Sequence, residues 1–550
     1  MKQVSILLTI SFLGLVFLAL TMWWAPPTGQ GSAPADAAAG AVADKSGVSP
    51  SGGNEPSFVT AKFDVRPVTP ATAPNRPTLQ FPRWPKPAAV LVATGEQQGY
   101  FEPCGCTANQ LGGMTRRAGL FRKLQDLNWD VRGVDVGSLS RRTGLQAQIK
   151  FETSLQALRE LNYVAMGIGP EELRLDPGYL LSQHLTEGSE FLAFVSANLT
   201  FFGSRDVGTP LAKQIITPGG LRIGITSVLS ETLKKEVFPA NAPPADAEWT
   251  EPQQALTAVL EEFKAEQVQF RVLLAQATLE ESREFARQFP EFNIIITAQG
   301  FGDGEQKTET IGSVQLIQPG EKGKTAGVIG IYPNDPAQPI RFELVKLTGD
   351  TFGDDPAMIK LMDDYQRRLT EQQVVAAEMP AGHPSGASFV GSQKCGECHT
   401  KALAVWEKTA HAHAFESLDP RFNRPGAERL HAISRINDPE CLSCHVTGWD
   451  PQNYVRFRSG FLNQSFATTG EERNLEKLLA GNQCENCHGP GSQHVELIES
   501  SADKAVAGES VRVTLEQARS NTCVRCHDGD NSPEFDFDKY WEQVKHPDRD

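Results

Sequence analysis

The sequence predicts a multidomain chain: an α/β layered domain over residues 88–350, then a mostly helical, cofactor-packed domain over residues 389–550. Three observations carry this reading. Short apolar runs alternate with helix-length stretches from Ala88 to about residue 348, the pattern of a layered α/β domain. Eight of the ten cysteines fall into four copies of one pentapeptide, all beyond residue 394. An apolar N-terminus and a long Pro/Ala-rich stretch precede both parts.

The N-terminal run from Val4 to Trp24 is almost wholly apolar. It is long for a cleaved secretory core and just long enough to cross a bilayer, which takes about 20 residues. Small residues suited to cleavage appear only at Ala35-Asp36-Ala37-Ala38. Residues 1–25 therefore read as a signal peptide or a membrane anchor. The body is exported, to the periplasm or another extracytoplasmic site, with attachment to the inner membrane if the segment is retained. Residues 26–87 are rich in Pro, Ala, Gly and Ser and read as a flexible linker, with order beginning near Ala88. The net charge of −15 argues against nucleic acid as a partner.

Ala88–Ala93 has the pattern of a buried strand. Further strands are expected at Arg132–Val136, Phe191–Ser196, Leu221–Ser227, Phe270–Leu274, Asn293–Thr297 and Val328–Ile331. Helices are expected at Thr115–Leu127, Gln146–Leu161 and Glu251–Glu266. Residues 351–388 hold a charged amphipathic helix, about 355–379, and then a linker beginning Pro380-Ala381-Gly382.

The four pentapeptides are Cys395-Gly-Glu-Cys398-His399, Cys441-Leu-Ser-Cys444-His445, Cys484-Glu-Asn-Cys487-His488 and Cys523-Val-Arg-Cys526-His527. C-x-x-C-H is the attachment site of haem c: two thiols add to the porphyrin vinyl groups and the adjoining imidazole ligates the iron. A zinc knuckle or redox dithiol does not need His directly after the second Cys, and zinc knuckles pair at shorter spacing. The expected cofactor is therefore four covalent haems c. His399, His445, His488 and His527 are the proximal ligands. Low-spin haem needs a sixth ligand, most often another His. His411, His413, His431 and His494 form the expected distal pool, with His546, in the charged tail, as a weaker candidate. A helix is expected over Ala402–Leu418, where residues two apart point about 200° apart, so His411 and His413 cannot serve one iron. His494 follows the turn Gly489-Pro490-Gly491-Ser492, with Ser492 as a plausible N-cap, and lies too near His488 to reach the opposite face of the same haem. The haems themselves are expected to be the core of this domain.

The α/β part resembles the metallophosphatase fold of periplasmic 5′-nucleotidases, carried chiefly by Gly112-Gly113-Met114-Thr115-Arg116-Arg117-Ala118. Thr94–Gly99 sits where that family has Asp-x-His, Val134–Ser138 where it has Gly-Asp, and Gly169-Pro170-Glu171-Glu172 where it has Gly-Asn-His-Glu. Leu274-Ala275-Gln276 and Thr297-Ala298-Gln299-Gly300-Phe301 replace its two His-bearing strand ends. The resemblance implies a scaffold that has lost its metals. Asp is replaced by Glu96 or Ser138, Asn by Pro170, and the His ligands by Gln98, Glu171, Gln276, Gln299 and Phe301. Gln oxygens substitute poorly for imidazole on a transition metal. Cys104 and Cys106, in the loop after the first strand, could form a disulfide, a two-thiolate metal site or a redox pair.

The C-terminal part is similar to the cytochrome c-554 family of tetrahaem proteins. The similarity rests on the four motifs, on Trp406 followed by His411-Ala412-His413-Ala414, and on Cys484 to His494. It implies closely packed haem pairs, mostly bis-histidine ligation, and electron transfer with redox protein partners; in that family one haem can lack a distal ligand. The reading is an electron-transfer protein with an inactive phosphatase-like docking or binding domain. Its rival is a multihaem oxidoreductase acting on a small nitrogen or sulfur compound at a five-coordinate haem. Intact-mass spectrometry of the mature protein should show four covalent haems; three or fewer would refute the count.

Overall fold

Along each central strand of the α/β domain, alternate residues serve two different layers. Ala89, Leu91 and Ala93 face one apolar cluster while Val90 and Val92 face another. Ile294 and Ile296 likewise face away from Ile295. Period-2 alternation with both faces apolar can be satisfied only by a sheet covered on both sides. The computed structural model describes residues 78–103, 110–184, 192–208, 210–238, 246–298, 302, 304–422, 432–500 and 504–546.

The strands run in chain order as β1 (Ala89–Thr94), β2 (Val131–Asp135), β3 (Tyr163–Gly167), β4 (Ala193–Val195), β5 (Leu199–Phe201), β6 (Gln214–Ile216) and β7 (Ile223–Leu229). There follow β8 (Ala247–Trp249), β9 (Phe270–Gln276), β10 (Ile294–Thr297), β11 (Glu309–Ile311), β12 (Val314–Ile317), β13 (Thr325–Ile331) and β14 (Ile340–Lys346). Two six-stranded sheets result, ordered β14-β13-β1-β2-β3-β4 and β11-β12-β10-β9-β7-β6. In the first, β1 to β4 are parallel and β13 and β14 antiparallel. In the second, β7, β9, β10 and β12 are parallel and the edge strands β6 and β11 antiparallel.

The sheets pack face to face over a core that takes Leu91, Val134 and Ile329 from one and Ile225, Leu274 and Ile296 from the other. Helices Met114–Asp126, Leu145–Glu160 and Pro356–Glu371 cover the outside of the first sheet. Pro252–Ala265 and Leu279–Gln288 cover the second. The architecture is four layers, α/β/β/α. Helix Pro356–Glu371 stands in the region expected to be helix and linker, but Met358, Leu361, Tyr365 and Leu369 bury it in the core of the α/β domain. The packed chain also starts earlier than Ala88: Phe81 is buried and Trp84 stacks on Trp129.

The C-terminal domain is helical in short pieces, with one two-residue antiparallel pair, Trp449–Asp450 with Val455–Arg456. The helix expected over Ala402–Leu418 is instead Thr400–Trp406 followed by tight turns at Ala410–His413 and Phe415–Leu418. Contrary to the expectation that haem alone would form the core, an apolar cluster of Phe389, Leu418, Leu442, Trp449, Phe461 and Leu479 fills the first half of the domain. Trp449 donates its indole N–H to the Phe461 carbonyl at 3.0 Å.

From Ala73 onward the chain forms one compact unit. Gln146 and Gln366 donate to the two oxygens of Asp438 at 2.9 and 2.6 Å, and Lys150 pairs with Glu440. Arg142 lies 3.5 Å over the Tyr454 ring.

Gly133 in β2 leaves room for the buried Tyr163 ring, which an added Cβ would meet at 2.3 Å. We expect Gly133→Ala to destabilise the protein by about 1–3 kcal/mol through overpacking, read as a lower urea midpoint; an unchanged midpoint would refute this packing.

Candidate haem centres and the strand-end cluster

An imidazole nitrogen ligates a transition metal at about 2.0 Å. It lies about 1.2 Å from its own ring centre, so two imidazoles trans on one iron hold their centroids roughly 6 Å apart. Three pairs in the C-terminal domain have this separation. His399 and His494 are 6.3 Å apart, His411 and His527 6.1 Å, and His488 and His546 5.9 Å. Each pair joins one motif histidine to one from another part of the sequence.

Local structure places these rings. The buried Glu485 carboxylate accepts N–H bonds from Val390 and Gly391 and from Gly491. Ser388 and Ser492 bond to each other twice, at 2.8 and 3.1 Å. Together these contacts tie the helix of His494 to the segment that leads into the first motif. Ser492 is the first residue of that helix, with Gly491 as its cap, rather than the cap itself. His411 is held by Trp406, whose indole donates to the Asn482 carbonyl, and by the Asn482 N–H on the His411 carbonyl. Gly481, at φ 90°, permits this approach, since an added Cβ would meet the Ala412 carbonyl oxygen at 2.9 Å.

Tautomers follow from the acceptors. A backbone carbonyl only accepts, so a ring nitrogen bonded to one carries the hydrogen. His445 Nδ1 donates to the Ala414 carbonyl at 2.8 Å, His488 Nδ1 to Val511 at 2.7 Å and His494 Nδ1 to Ala507 at 2.8 Å. His527 Nδ1 lies 2.9 Å from the Ser532 hydroxyl. In the three carbonyl-bound rings Nε2 keeps its lone pair, the form a metal needs. Ring spacing and tautomer both fit haem.

His546, the weaker candidate, faces a motif histidine; a ligand from a charged tail carries no local signal. His413 also belongs to the expected pool. It sits two residues beyond His411 on a tight turn, with Nδ1 3.4 Å from the Glu416 carboxylate. Among the described residues it makes no ring pair with a motif histidine. His431 lies outside the described residues, as do Cys104 and Cys106. The Nδ1 acceptors Val511 and Ala507 use backbone carbonyls, which leave no mark in the sequence.

The cysteines also meet across motifs. Cys395 lies near Cys484, and Cys444 near Cys526.

Residues 394–489 match the family described as cytochrome c554 and c-prime. Cytochrome c-554 of Nitrosomonas europaea is 32% identical over 126 residues, 22% of this chain and 44% of that protein. The C-terminal domain is cytochrome c554-like. The chain therefore spans less than half the length of this curated relative. The cytochrome c554-like match covers the first three motifs, and the fourth, Cys523–His527, lies beyond the matched family segment. Among solved structures, the chain is similar to a 5′-nucleotidase precursor from Thermus thermophilus (TM-score 0.44, 19% identity, 52% of this chain and 59% of that one). It is also similar to the sulfate thiohydrolase SoxB of the same organism (0.43, 13%, 54% and 63%) and to the NAD nucleotidase of Haemophilus influenzae (0.43, 15%, 60% and 68%).

In the α/β domain, the residues expected at the lost metal positions converge at strand ends. Glu96 follows β1, Ser138 follows β2, Glu171 and Glu172 follow β3, and Gln276 ends β9. Ser138 donates its hydroxyl to Glu171 at 2.8 Å and its N–H to Glu172 at 2.9 Å; Gln276 reaches Ser138 at 3.4 Å and Gln98 donates to Glu96 at 3.0 Å. No group of metal-ligating side chains forms among the described residues. Gln299, Gly300 and Phe301 lie outside them. Glu96, Gln98 and Ser138 adopt φ of 50°, 49° and 59°, a left-handed conformation costly for residues with a Cβ. Burial, with the nearby Glu171 and Glu172 charges, pushes the Glu96 carboxyl up to about 8, against hydrogen bonds from Gln98 and Ser138. Burial and Glu171 push Glu172 up to about 7, against three backbone N–H bonds.

Between 4.5 and about 8 the folded chain therefore holds a proton on Glu96 that the unfolded chain releases. Stability should fall as pH rises through that window. Glu96→Gln should remove part of the slope and gain about 1–2 kcal/mol at pH 8 relative to pH 5, measured by chemical denaturation at both values; parallel pH profiles for the two proteins would contradict it.

Proposed function

We propose that this chain is an exported tetrahaem electron-transfer protein whose α/β domain no longer hydrolyses phosphoesters. The observation that carries the reading is the set of three imidazole pairs 5.9–6.3 Å apart, each formed around one C-x-x-C-H histidine. Haem bound there supplies one-electron exchange at iron. The protein's part is to hold each pair of rings so that ligation changes little between oxidation states. The carbonyls of Ala414, Val511 and Ala507 do this by fixing the orientation and basicity of His445, His488 and His494.

Thiols of different motifs lie near one another, Cys395 by Cys484 and Cys444 by Cys526, which supports closely packed haem sites. Electrons would enter and leave through redox protein partners. Loss of hydrolysis is supported by the strand-end cluster, where Gln, Glu and Ser stand in place of imidazoles. Export is supported by the apolar N-terminus and by haem c attachment, which takes place outside the cytoplasm.

The test is the ferric electron paramagnetic resonance spectrum. We expect at least three low-spin haems. His494→Ala and His546→Ala should each convert one haem to high spin while all covalent attachments persist. Two or more high-spin haems in the wild type would overturn the assignment and favour the small-molecule oxidoreductase. An unaltered spectrum in either variant would remove that residue from the ligand set.

A further inference from the structure

Among the described residues the α/β domain touches the C-terminal domain at several places, and one of them is three residues beyond a motif histidine. Lys322 and Lys324, on the turn between β12 and β13, donate to the two carboxylate oxygens of Asp530 at 2.6 and 2.5 Å. Gln110 donates to the Asp530 carbonyl at 2.9 Å. Asp530 belongs to a tight loop: Asp528 accepts the N–H groups of Asp530 and Asn531 at 3.0 and 2.7 Å, and the Ser532 N–H returns to the Asp528 carbonyl at 2.8 Å. The same Ser532 places its hydroxyl 2.9 Å from His527 Nδ1. A short loop thus links the lysine pair to the proximal imidazole.

The turn that presents the lysines is itself fixed. The Lys322 N–H donates to the Glu96 carbonyl at 2.6 Å. Gly323, at φ 56°, sits where an added Cβ would meet Arg117 Nη2 at 2.4 Å, so the turn is seated on the buried Arg117. Lys322, Lys324 and Asp530 are only 19%, 18% and 22% exposed, so solvent screens their charges incompletely. Partial burial alone would raise the Asp530 carboxyl, yet the two lysines bring it below its ordinary value. The carboxylate therefore stays charged. With Glu321 3.8 Å from Lys322, the α/β side brings a net charge of +1 to a loop that carries the Asp528 and Asp530 carboxylates.

We propose that Lys322 and Lys324, through Asp530, set the reduction potential of the haem held by Cys523, Cys526 and His527. Ferric haem carries one more positive charge than ferrous haem. The positive charge brought by the α/β side favours the ferrous state and raises the potential, and the Ser532 contact adjusts the basicity of the ligand. These are positioning residues that act through the loop. The α/β domain then acts on the electron path itself, by making the haem beside it an easier electron acceptor than it would be alone. The inference rests on reading Cys523–His527 as a haem site.

The experiment is a spectroelectrochemical titration of the full haem-loaded protein, after the haem content of each variant is measured by mass. Asp530→Asn removes the anion between the two lysines and should raise one midpoint potential. The double variant Lys322→Gln with Lys324→Gln leaves the carboxylate uncompensated and should lower the same midpoint. Lys322→Arg with Lys324→Arg keeps the charge and should leave it near the wild-type value. General loosening of the loop would shift both charge variants in one direction. Opposite shifts of one midpoint support the proposal; shifts of the same sign, or none, overturn it. A wild-type protein with no haem at Cys523 and Cys526 would instead overturn the haem assignment on which it rests.

Discussion

Two imidazoles that share one iron must hold their ring centres about 6 Å apart and face each other. Three ring pairs of the C-terminal domain have that separation. Short helices and tight turns replace long regular elements because each must deliver one ring to one point and then turn away. The buried Glu485, the paired Ser388 and Ser492, and the close approach at Gly481 bring distant segments into register. The carbonyls that tie down Nδ1 settle which nitrogen stays available. The apolar cluster around Trp449 and Phe461 supplies conventional packing only where no ring pair has to be served.

In the α/β domain the strand ends converge, and Glu96, Ser138, Glu171, Glu172 and Gln276 meet there. Hydrogen bonds join them, and left-handed backbone occurs at Glu96, Gln98 and Ser138. Burial keeps protons on carboxyls that would ionise in water.

The two domains meet through charged and polar side chains, and Ile433 joins the apolar core of the α/β domain. Gln146 and Gln366 hold Asp438, the cap of the helix carrying the second motif, while Lys322 and Lys324 hold the loop after the fourth. Both contacts bear on segments that orient proximal histidines. Polar contacts of this kind fix direction more than they add stability, because their strength depends on alignment.

The sequence alone determined what is local. Four C-x-x-C-H motifs are read directly along the chain, because the chemistry they point to needs adjacent residues. Strands such as Phe270–Gln276 and helices such as Met114–Asp126 were legible within a few residues, because period and burial are written along the chain. Only the tertiary structure decided what depends on distance across the chain. It pairs His399 with His494, His411 with His527 and His488 with His546, and sets His413 apart, because the backbone after Trp406 turns more tightly than an α-helix. It draws Phe81 and helix Pro356–Glu371 into the α/β core, where their apolar faces find cover. It also brings Lys322 and Lys324 to Asp530, more than 200 residues away, a contact between three surface-type side chains that no local pattern announces.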